Sequence, residues 1–176
     1  MTAPRALILL PGFNGAARQP ILVKVAAAAG PAYTPQFPGL PRGRPSEGFE
    51  RELAHLAAQV PGRSAPALVG RSFGGRVALR YARLRRVRAV VLLGFPVRPP
   101  GRPRPDDEGA LLAVRVPTLI VQGDVDDRGP LEVLRPLVAK NDALELVVIE
   151  GAGHAFGRHE PRAVEAAAAF LRRASR

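Results

Sequence analysis

The chain contains no cysteine, and this absence limits both its chemistry and its covalent architecture. Disulfide bridges, thiol nucleophiles and cysteine-ligated metal sites are all excluded. A chain without thiols fits a reducing compartment, so we predict a cytoplasmic location. With 176 residues it can bury a hydrophobic core without cross-links, and we expect a single domain over residues 1–176.

Lysine is scarce as well, since it occurs only at Lys24 and Lys140, whereas arginine gives the chain a net charge of +11. A basic balance is compatible with nucleic acid, anionic membranes or acidic substrates as partners. The arginines are scattered, however, few aromatic residues accompany them, and no helix-turn-helix, zinc-finger or RNA-recognition signature occurs. We therefore predict a solvated basic surface with no nucleic-acid or membrane partner, and a monomer or weak homodimer.

Long apolar runs are also missing. The run that ends at Leu10 is stopped by Pro11 and Gly12, which makes it too short for a membrane span, and no small-residue cleavage site follows it. This segment is predicted to be the first strand of the fold.

Six short runs rich in valine, isoleucine and leucine recur along the chain. Their hydrophobicity is nearly continuous, which indicates strands buried on both faces of a parallel sheet. The predicted strands are 6–10, 32–37, 67–70, 89–93, 118–122 and 144–149. Helical patterns alternate with them at 20–29, 47–60 with Ser46 as N-cap, 73–84, 129–139 and 161–174. The alternation predicts a doubly wound α/β fold.

The segment 94–108 has a strongly biased composition, GFPVRPPGRPRPDDE. Proline at this density is incompatible with a helix or a central strand, so we predict an extended surface loop. About 15 residues of such a loop cannot form a two-helix lid, which needs roughly 25 or more. The sequence therefore predicts an open site. Three arginines of the loop, Arg98, Arg102 and Arg104, either line its mouth and favour anionic substrates or are simply solvated, and solvation is the favoured interpretation.

Ser72 lies in the pentapeptide Gly70, Arg71, Ser72, Phe73, Gly74, directly after a predicted strand and directly before a predicted helix. A tight strand-to-helix turn exposes a serine hydroxyl at its tip, and glycine on either side avoids collisions with the neighbouring backbone. This context predicts that Ser72 is a nucleophile.

A histidine and an acidic cluster follow two other predicted strands. The carboxyl ends of parallel strands share one edge of the sheet, where ligands gather. His154 would act as general base and then general acid, and a carboxylate would orient its imidazole. The acidic cluster holds Asp124, Asp126 and Asp127. Its segment 123–126 resembles the acid turn of α/β-hydrolases, in which the aspartate lies three residues after a glycine, and this resemblance implies Asp126 as the acid, with Asp124 stabilising the turn and Asp127 solvated.

The oxyanion formed by attack on an acyl carbon needs preorganised donors. One is the backbone N–H of Phe73, at the start of a helix. The other is expected from the loop 11–15, through the N–H of Phe13, with Asn14 as the alternative. Asn14, Phe95 and Phe156 are predicted to contact the substrate.

Four segments together resemble a known family: VGRSFGGR from Val69, LGFPVRPPGRP from Leu93, VPTLIVQGDVDDRG from Val116 and GAGHAF from Gly151. The chain resembles the small lidless α/β-hydrolases related to dienelactone hydrolase, and more narrowly the group of testis-expressed protein thirty and the third NSL complex subunit. The resemblance implies a six-stranded sheet in the order 2-1-3-4-5-6 without a cap domain, and a triad of Ser72, Asp126 and His154. The chain departs from the family at Pro11, where His often begins the oxyanion loop.

Three functions are compatible with these features. The first is a serine hydrolase that cleaves carboxylic esters or thioesters of small molecules through an acyl-enzyme, without metal or cofactor. The second is an interaction module that keeps the fold with weak or absent catalysis. The third is nucleic-acid binding through the arginines, which a steeply salt-dependent association would support. Intact Ser72, Asp126 and His154 favour the hydrolase.

Overall fold

Six parallel strands form one sheet in the computed structural model, which describes residues 4–60 and 65–176. The strands are β1 (Arg5–Leu10), β2 (Tyr33–Gln36), β3 (Ala67–Arg71), β4 (Ala89–Leu93), β5 (Thr118–Gly123) and β6 (Leu144–Ile149). Their order is β2-β1-β3-β4-β5-β6, and each neighbouring pair is parallel. The predicted α/β-hydrolase sheet is therefore confirmed, and each strand boundary lies within one residue of its predicted position.

The helices are α1 (Pro20–Ala29), α2 (Glu50–Gln59), α3 (Phe73–Leu84), α4 (Pro105–Ala113), α5 (Leu131–Val138) and α6 (Glu160–Ala174). Three of them have a proline in the first turn, where the missing N–H costs nothing: Pro20 in α1, Pro105 in α4 and Pro161 in α6. Helix α6 also carries Arg172 and Arg173 in its last turn, where cations favour the helix dipole.

Alternate residues of the central strands enter two separate cores, one on each face of the sheet. In β1, Ile8 and Leu10 pack with residues of α2, α3, α4 and α5, whereas Leu7 and Leu9 pack with residues of α1 and α6. All four side chains are fully buried. Burial of each one stabilises the fold by roughly 1.5–3 kcal/mol, so both faces of the sheet hold the strand ends in place.

The predicted helix 47–60 is shorter in the structure. A 3₁₀ turn, Glu47–Phe49, comes first, and Gly48 and Phe49 have left-handed backbone angles that separate it from α2. Ser46 still caps the segment, because its Oγ accepts a hydrogen bond from the Arg51 N–H at 3.0 Å. The capping residue was predicted correctly, but the interruption was not.

The prediction of an extended loop over 94–108 was wrong at its end, because α4 begins at Pro105. Proline fits the first position of a helix, and Asp106, Asp107 and Glu108 form a first turn whose negative charge the helix N-terminus favours. The high proline content concealed this helix start. The remaining loop is short, and within the described residues no separate cap domain covers the edge of the sheet.

A membrane-spanning helix must be both long and apolar. No helix among the described residues meets both requirements.

Candidate active site

The carboxyl ends of the strands bring the predicted site residues to one edge of the sheet. Ser72 follows β3, Asp126 follows β5, His154 follows β6, and the loop with Phe13 follows β1. Strands β1 and β3 are neighbours although β2 lies between them in sequence, so the order of the sheet switches direction here. Such a switch point opens a crevice between two loops, and Ser72 and Phe13 lie on its two sides.

Ser72 occupies a strained turn between β3 and α3, with φ 50° and ψ −111°. The two glycines of the pentapeptide are sterically required. A Cβ on Gly70 would lie 2.3 Å from the Gly75 nitrogen, and a Cβ on Gly74 would lie 2.4 Å from the Leu10 carbonyl oxygen. Such strain persists only where the surrounding structure fixes it, and here it presents the serine hydroxyl at the start of a helix.

Ser72, His154 and Asp126 form a continuous hydrogen-bonded series. The Ser72 Oγ lies 2.9 Å from the His154 Nε2, and the His154 Nδ1 lies 2.8 Å from the Asp126 Oδ2. The Asp126 side chain is fully buried, whereas the imidazole is 17% exposed. A buried carboxylate behind a partly accessible imidazole fixes the ring so that its far nitrogen faces the hydroxyl. The structure thus brings together all three residues that the sequence singled out.

The buried Asp126 carboxylate is held by two further donors. Its Oδ2 accepts a hydrogen bond from the Gln122 Nε2 at 2.7 Å, and its Oδ1 accepts one from the Arg128 backbone N–H at 3.0 Å. Gln122 is itself fully buried, and its Oε1 accepts the Phe95 N–H at 2.8 Å. These neutral donors orient the carboxylate and satisfy its buried oxygens without adding a positive charge beside it.

Arg71 fixes the protonation pattern of the imidazole. Its NH2 donates to the His154 carbonyl at 2.7 Å, and its NH1 lies 3.3 Å from the His154 Nε2. A guanidinium can only donate hydrogen bonds, so Nε2 must be the acceptor and Nδ1 must carry the proton shared with Asp126. This is the tautomer that a general base requires. Burial lowers the pKa of Arg71, and the Asp126 charge opposes that shift.

The two backbone N–H groups predicted to form an oxyanion hole belong to Phe73 and Phe13. Phe73 opens α3, directly after Ser72, and Phe13 lies on the β1 loop, with its ring edge-on to the Phe73 ring at 5.9 Å. In the described part of the chain, neither N–H donates a hydrogen bond. The loop is held in shape by Gln19, whose Oε1 accepts the Gly12 N–H at 2.9 Å.

A cleft of about 670 Å³ opens over Ser72, with Phe13 and Phe73 among its lining residues. Its walls are strongly basic, because they include Arg76, Arg102, Arg104 and Arg128, and Asp127 is the single acidic residue. Arg76 pairs with the buried Asp107, Nε to Oδ2 at 2.6 Å, and Arg104 donates to the Pro96 carbonyl at 2.9 Å. The cleft is thus apolar beside the serine and cationic around it.

The structure places the three predicted substrate contacts outside this cleft. Phe95 and Phe156 are buried in the cores, and the Arg71 guanidinium lies over the Phe156 ring at 5.9 Å. Large apolar side chains gain more from burial than from a solvated cleft wall. Asn14 is exposed, and its Oδ1 accepts the Gly43 N–H at 2.9 Å. None of these three side chains lines the cleft.

Sequence reasoning missed four residues that shape the site: Arg71, Arg76, Gln122 and Arg128. Two of them carried a signal, because Arg71 and Gln122 are polar side chains at the ends of apolar strands, where an unpaired polar group would be costly. Arg76 and Arg128 carried no such signal, because Arg76 lies on a helix and Arg128 in a turn, where arginine is usually solvated.

Comparisons with known proteins agree with the fold. The protein Est1E from Butyrivibrio proteoclasticus superposes with a TM-score of 0.77 at 17% identity, over 97% of this chain and 88% of that one. A serine hydrolase without lid from Xanthomonas campestris superposes with a TM-score of 0.73 at 20% identity, over 97% of this chain and 83% of that one. For a dienelactone hydrolase from Anabaena variabilis the TM-score is 0.71 at 22% identity, and the superposition covers 96% of this chain and 86% of that one. No curated protein matches the chain.

A family model adds sequence evidence to these structural similarities. The model described as an alpha/beta hydrolase domain matches residues 42–175, which include Ser72, Asp126 and His154. The chain therefore belongs to the α/β-hydrolase domain family.

Proposed function

We propose that the protein is a serine hydrolase that cleaves carboxylic esters or thioesters of small molecules through an acyl-enzyme. One observation carries the proposal: the Ser72 hydroxyl, the His154 imidazole and the buried Asp126 carboxylate are joined by hydrogen bonds of 2.9 and 2.8 Å, and Ser72 lines an open cleft. The serine hydrolase without lid and the dienelactone hydrolase among its structural neighbours support a hydrolase.

In the acylation step, His154 Nε2 takes the Ser72 hydroxyl proton while Oγ attacks the acyl carbon. Asp126 stabilises the imidazolium that forms. The oxygen of the tetrahedral intermediate accepts hydrogen bonds from the Phe13 and Phe73 N–H groups. When the intermediate collapses, the bond to the leaving group breaks, and His154 returns the proton to the departing alcohol or thiol.

In the deacylation step, the same groups act on water. His154 removes a proton from a water molecule, whose oxygen attacks the acyl carbon of the acyl-enzyme. Collapse of the second intermediate releases the carboxylic acid, and the proton returns from Nε2 to the Ser72 Oγ. The cycle consumes one water and needs no other reactant.

We also propose that, within the α/β-hydrolases, the chain is nearest to the testis-expressed protein thirty and NSL subunit group. The proline-rich segment after β4 and the acid turn after β5 support this placement. The cytoplasmic location, the absence of a nucleic-acid or membrane partner and the monomer or weak homodimer remain predictions from composition.

Labelling with a fluorophosphonate tests the proposed function. We expect stoichiometric labelling of the wild-type protein and none of Ser72→Ala. Ser175→Ala is the matched control, because Ser175 lies at the far end of α6, and this variant should label like wild type. A folded wild-type protein that does not react at neutral pH would overturn the hydrolase and favour the interaction module.

A further inference from the structure

The four arginines around the Ser72 cleft are crowded together on three separate segments. Arg76 belongs to α3, Arg102 and Arg104 to the proline-rich segment, and Arg128 to the turn after β5. The pKa of Arg104 is lowered to about 10. Burial is the largest cause, the charges of Arg76, Arg102 and Arg128 act in the same direction, and Asp107 opposes them. The guanidinium groups therefore lie within electrostatic reach of one another in one cleft.

Three of these four arginines have no carboxylate partner in the part of the chain that the structure describes. In the described part of the chain, Arg76 has a carboxylate partner, Asp107, and no carboxylate pairs with Arg102, Arg104 or Arg128. Arg98, on the same proline-rich segment, differs from them, because it pairs with Glu108 at 2.6 Å and lies outside the cleft. The unpaired arginines of this segment are thus those that face Ser72.

Positive groups that converge on one cleft repel each other, and a bound anion relieves that repulsion. Guanidinium groups also offer a planar fork of N–H donors that matches carboxylate and phosphate oxygens. We propose that the substrate carries a carboxylate or phosphate near the scissile ester or thioester bond, bound by Arg102, Arg104 and Arg128. This inference rests on the proposed hydrolase function and names its substrate class.

Matched pairs of esters test the proposal and distinguish where the charge lies. An anionic acyl group is tested by mono-4-nitrophenyl glutarate against its neutral methyl ester. An anionic leaving group is tested by 4-acetoxybenzoate against methyl 4-acetoxybenzoate. In at least one pair we expect kcat/KM for the anionic ester to exceed that for the neutral ester by about tenfold at low salt. A ratio near one in both pairs would overturn the proposal.

The arginines themselves are tested with Arg102→Gln/Arg128→Gln. Both side chains are exposed, so the double variant should fold, and we expect it to lower the anionic-to-neutral ratio by about tenfold. Arg98→Gln is the matched control on the same segment and should leave the ratio unchanged. An equal loss in the control would show a general surface-charge effect and would contradict the proposal.

A binding measurement separates this proposal from the hydrolase itself. If none of the esters is hydrolysed, the proposed function fails, and calorimetric titration with glutarate and with inorganic phosphate still tests the cleft. Binding that is about tenfold weaker in Arg102→Gln/Arg128→Gln than in wild type supports the anion site. Equal affinities in the two proteins, or no binding to wild type, would overturn it.

Discussion

Two aspartates, Asp107 and Asp126, are both buried, but they accept hydrogen bonds from different kinds of donors. Asp107 accepts hydrogen bonds from two cations, Arg76 and Arg80, each at 2.6 Å. Asp126 accepts them from an amide, a backbone N–H and the His154 imidazole. Asp107 is thus paired with two cations, whereas the amide and the backbone N–H on Asp126 carry no charge.

The difference distinguishes Asp107, which links two helices, from Asp126, the proposed catalytic acid. Asp107 joins α4 to α3, and the Arg76 and Arg80 guanidinium groups also lie over the Phe49 ring at 4.8 and 4.5 Å. This cluster fixes the helix that follows the nucleophile. Burial of a carboxylate therefore does not identify the catalytic acid; the charge of its partners does.

The largest expected effect is that of Asp126→Asn on catalysis. The amide cannot stabilise an imidazolium and favours the wrong tautomer, so kcat for ester hydrolysis should fall by about 10⁴-fold. Stability should fall as well, because the Gln122 amide and the Arg128 N–H bond different oxygens of Asp126 and asparagine keeps only one of them. Steady-state kinetics with urea denaturation of the same sample checks both. A loss below tenfold would remove Asp126 from the catalytic series.

Asp107→Asn should act mainly on stability. It leaves two partly buried arginines without their carboxylate, and we expect the free energy of unfolding to fall by about 3 kcal/mol. The folded protein should keep ester hydrolysis within a few-fold of wild type. Urea denaturation and kinetics at 15 °C check this. A large loss of kcat in a protein that is fully folded would erase the contrast between the two acids.

A third buried acid, Glu52, extends the comparison of buried carboxylates to the dependence of stability on pH. Burial raises its pKa, but hydrogen bonds from Ser46 and Arg51 outweigh burial, so the net pKa is lowered. Its ionised form therefore contributes stability above pH 4.5, the usual value, and the contribution disappears as pH falls through the lowered pKa.

Glu52→Gln should thus be less stable than wild type by about 1 kcal/mol at pH 7, with a difference that shrinks below pH 4. Urea midpoints at pH 7, 5, 4 and 3 measure this, with the exposed Glu47→Gln as control. A difference that stays constant across this range would show that Glu52 does not titrate with a lowered pKa in the folded protein.

The sequence predicted the strands and the three residues of the hydrogen-bonded series because each has a local signature. Gly70 and Gly74 mark a turn that tolerates no side chain, and parallel strands must end on one edge. The Arg76–Asp107 pair had no such signature. Its partners are 31 residues apart, and it depends on α4, whose start at Pro105 is hidden in a proline-rich segment.

The side chains that line the cleft could not be predicted from the sequence either. Phe95 was expected beside the substrate, but its side chain enters the core while its N–H bonds Gln122. The direction of one side chain after a strand depends on tertiary packing, which periodicity does not encode. The same holds for Arg102 and Arg104, where solvation was favoured and the structure places both on the cleft wall.

The central claim is that Asp126 serves Ser72 through His154 while Asp107 serves only the fold. The most direct test is the second-order rate constant for inactivation by a neutral fluorophosphonate, measured at 15 °C for wild type, Asp107→Asn and Asp126→Asn. We predict that Asp107→Asn reacts within a few-fold of wild type and that Asp126→Asn reacts more than a hundred-fold more slowly. Equal rate constants for the two variants would contradict the account.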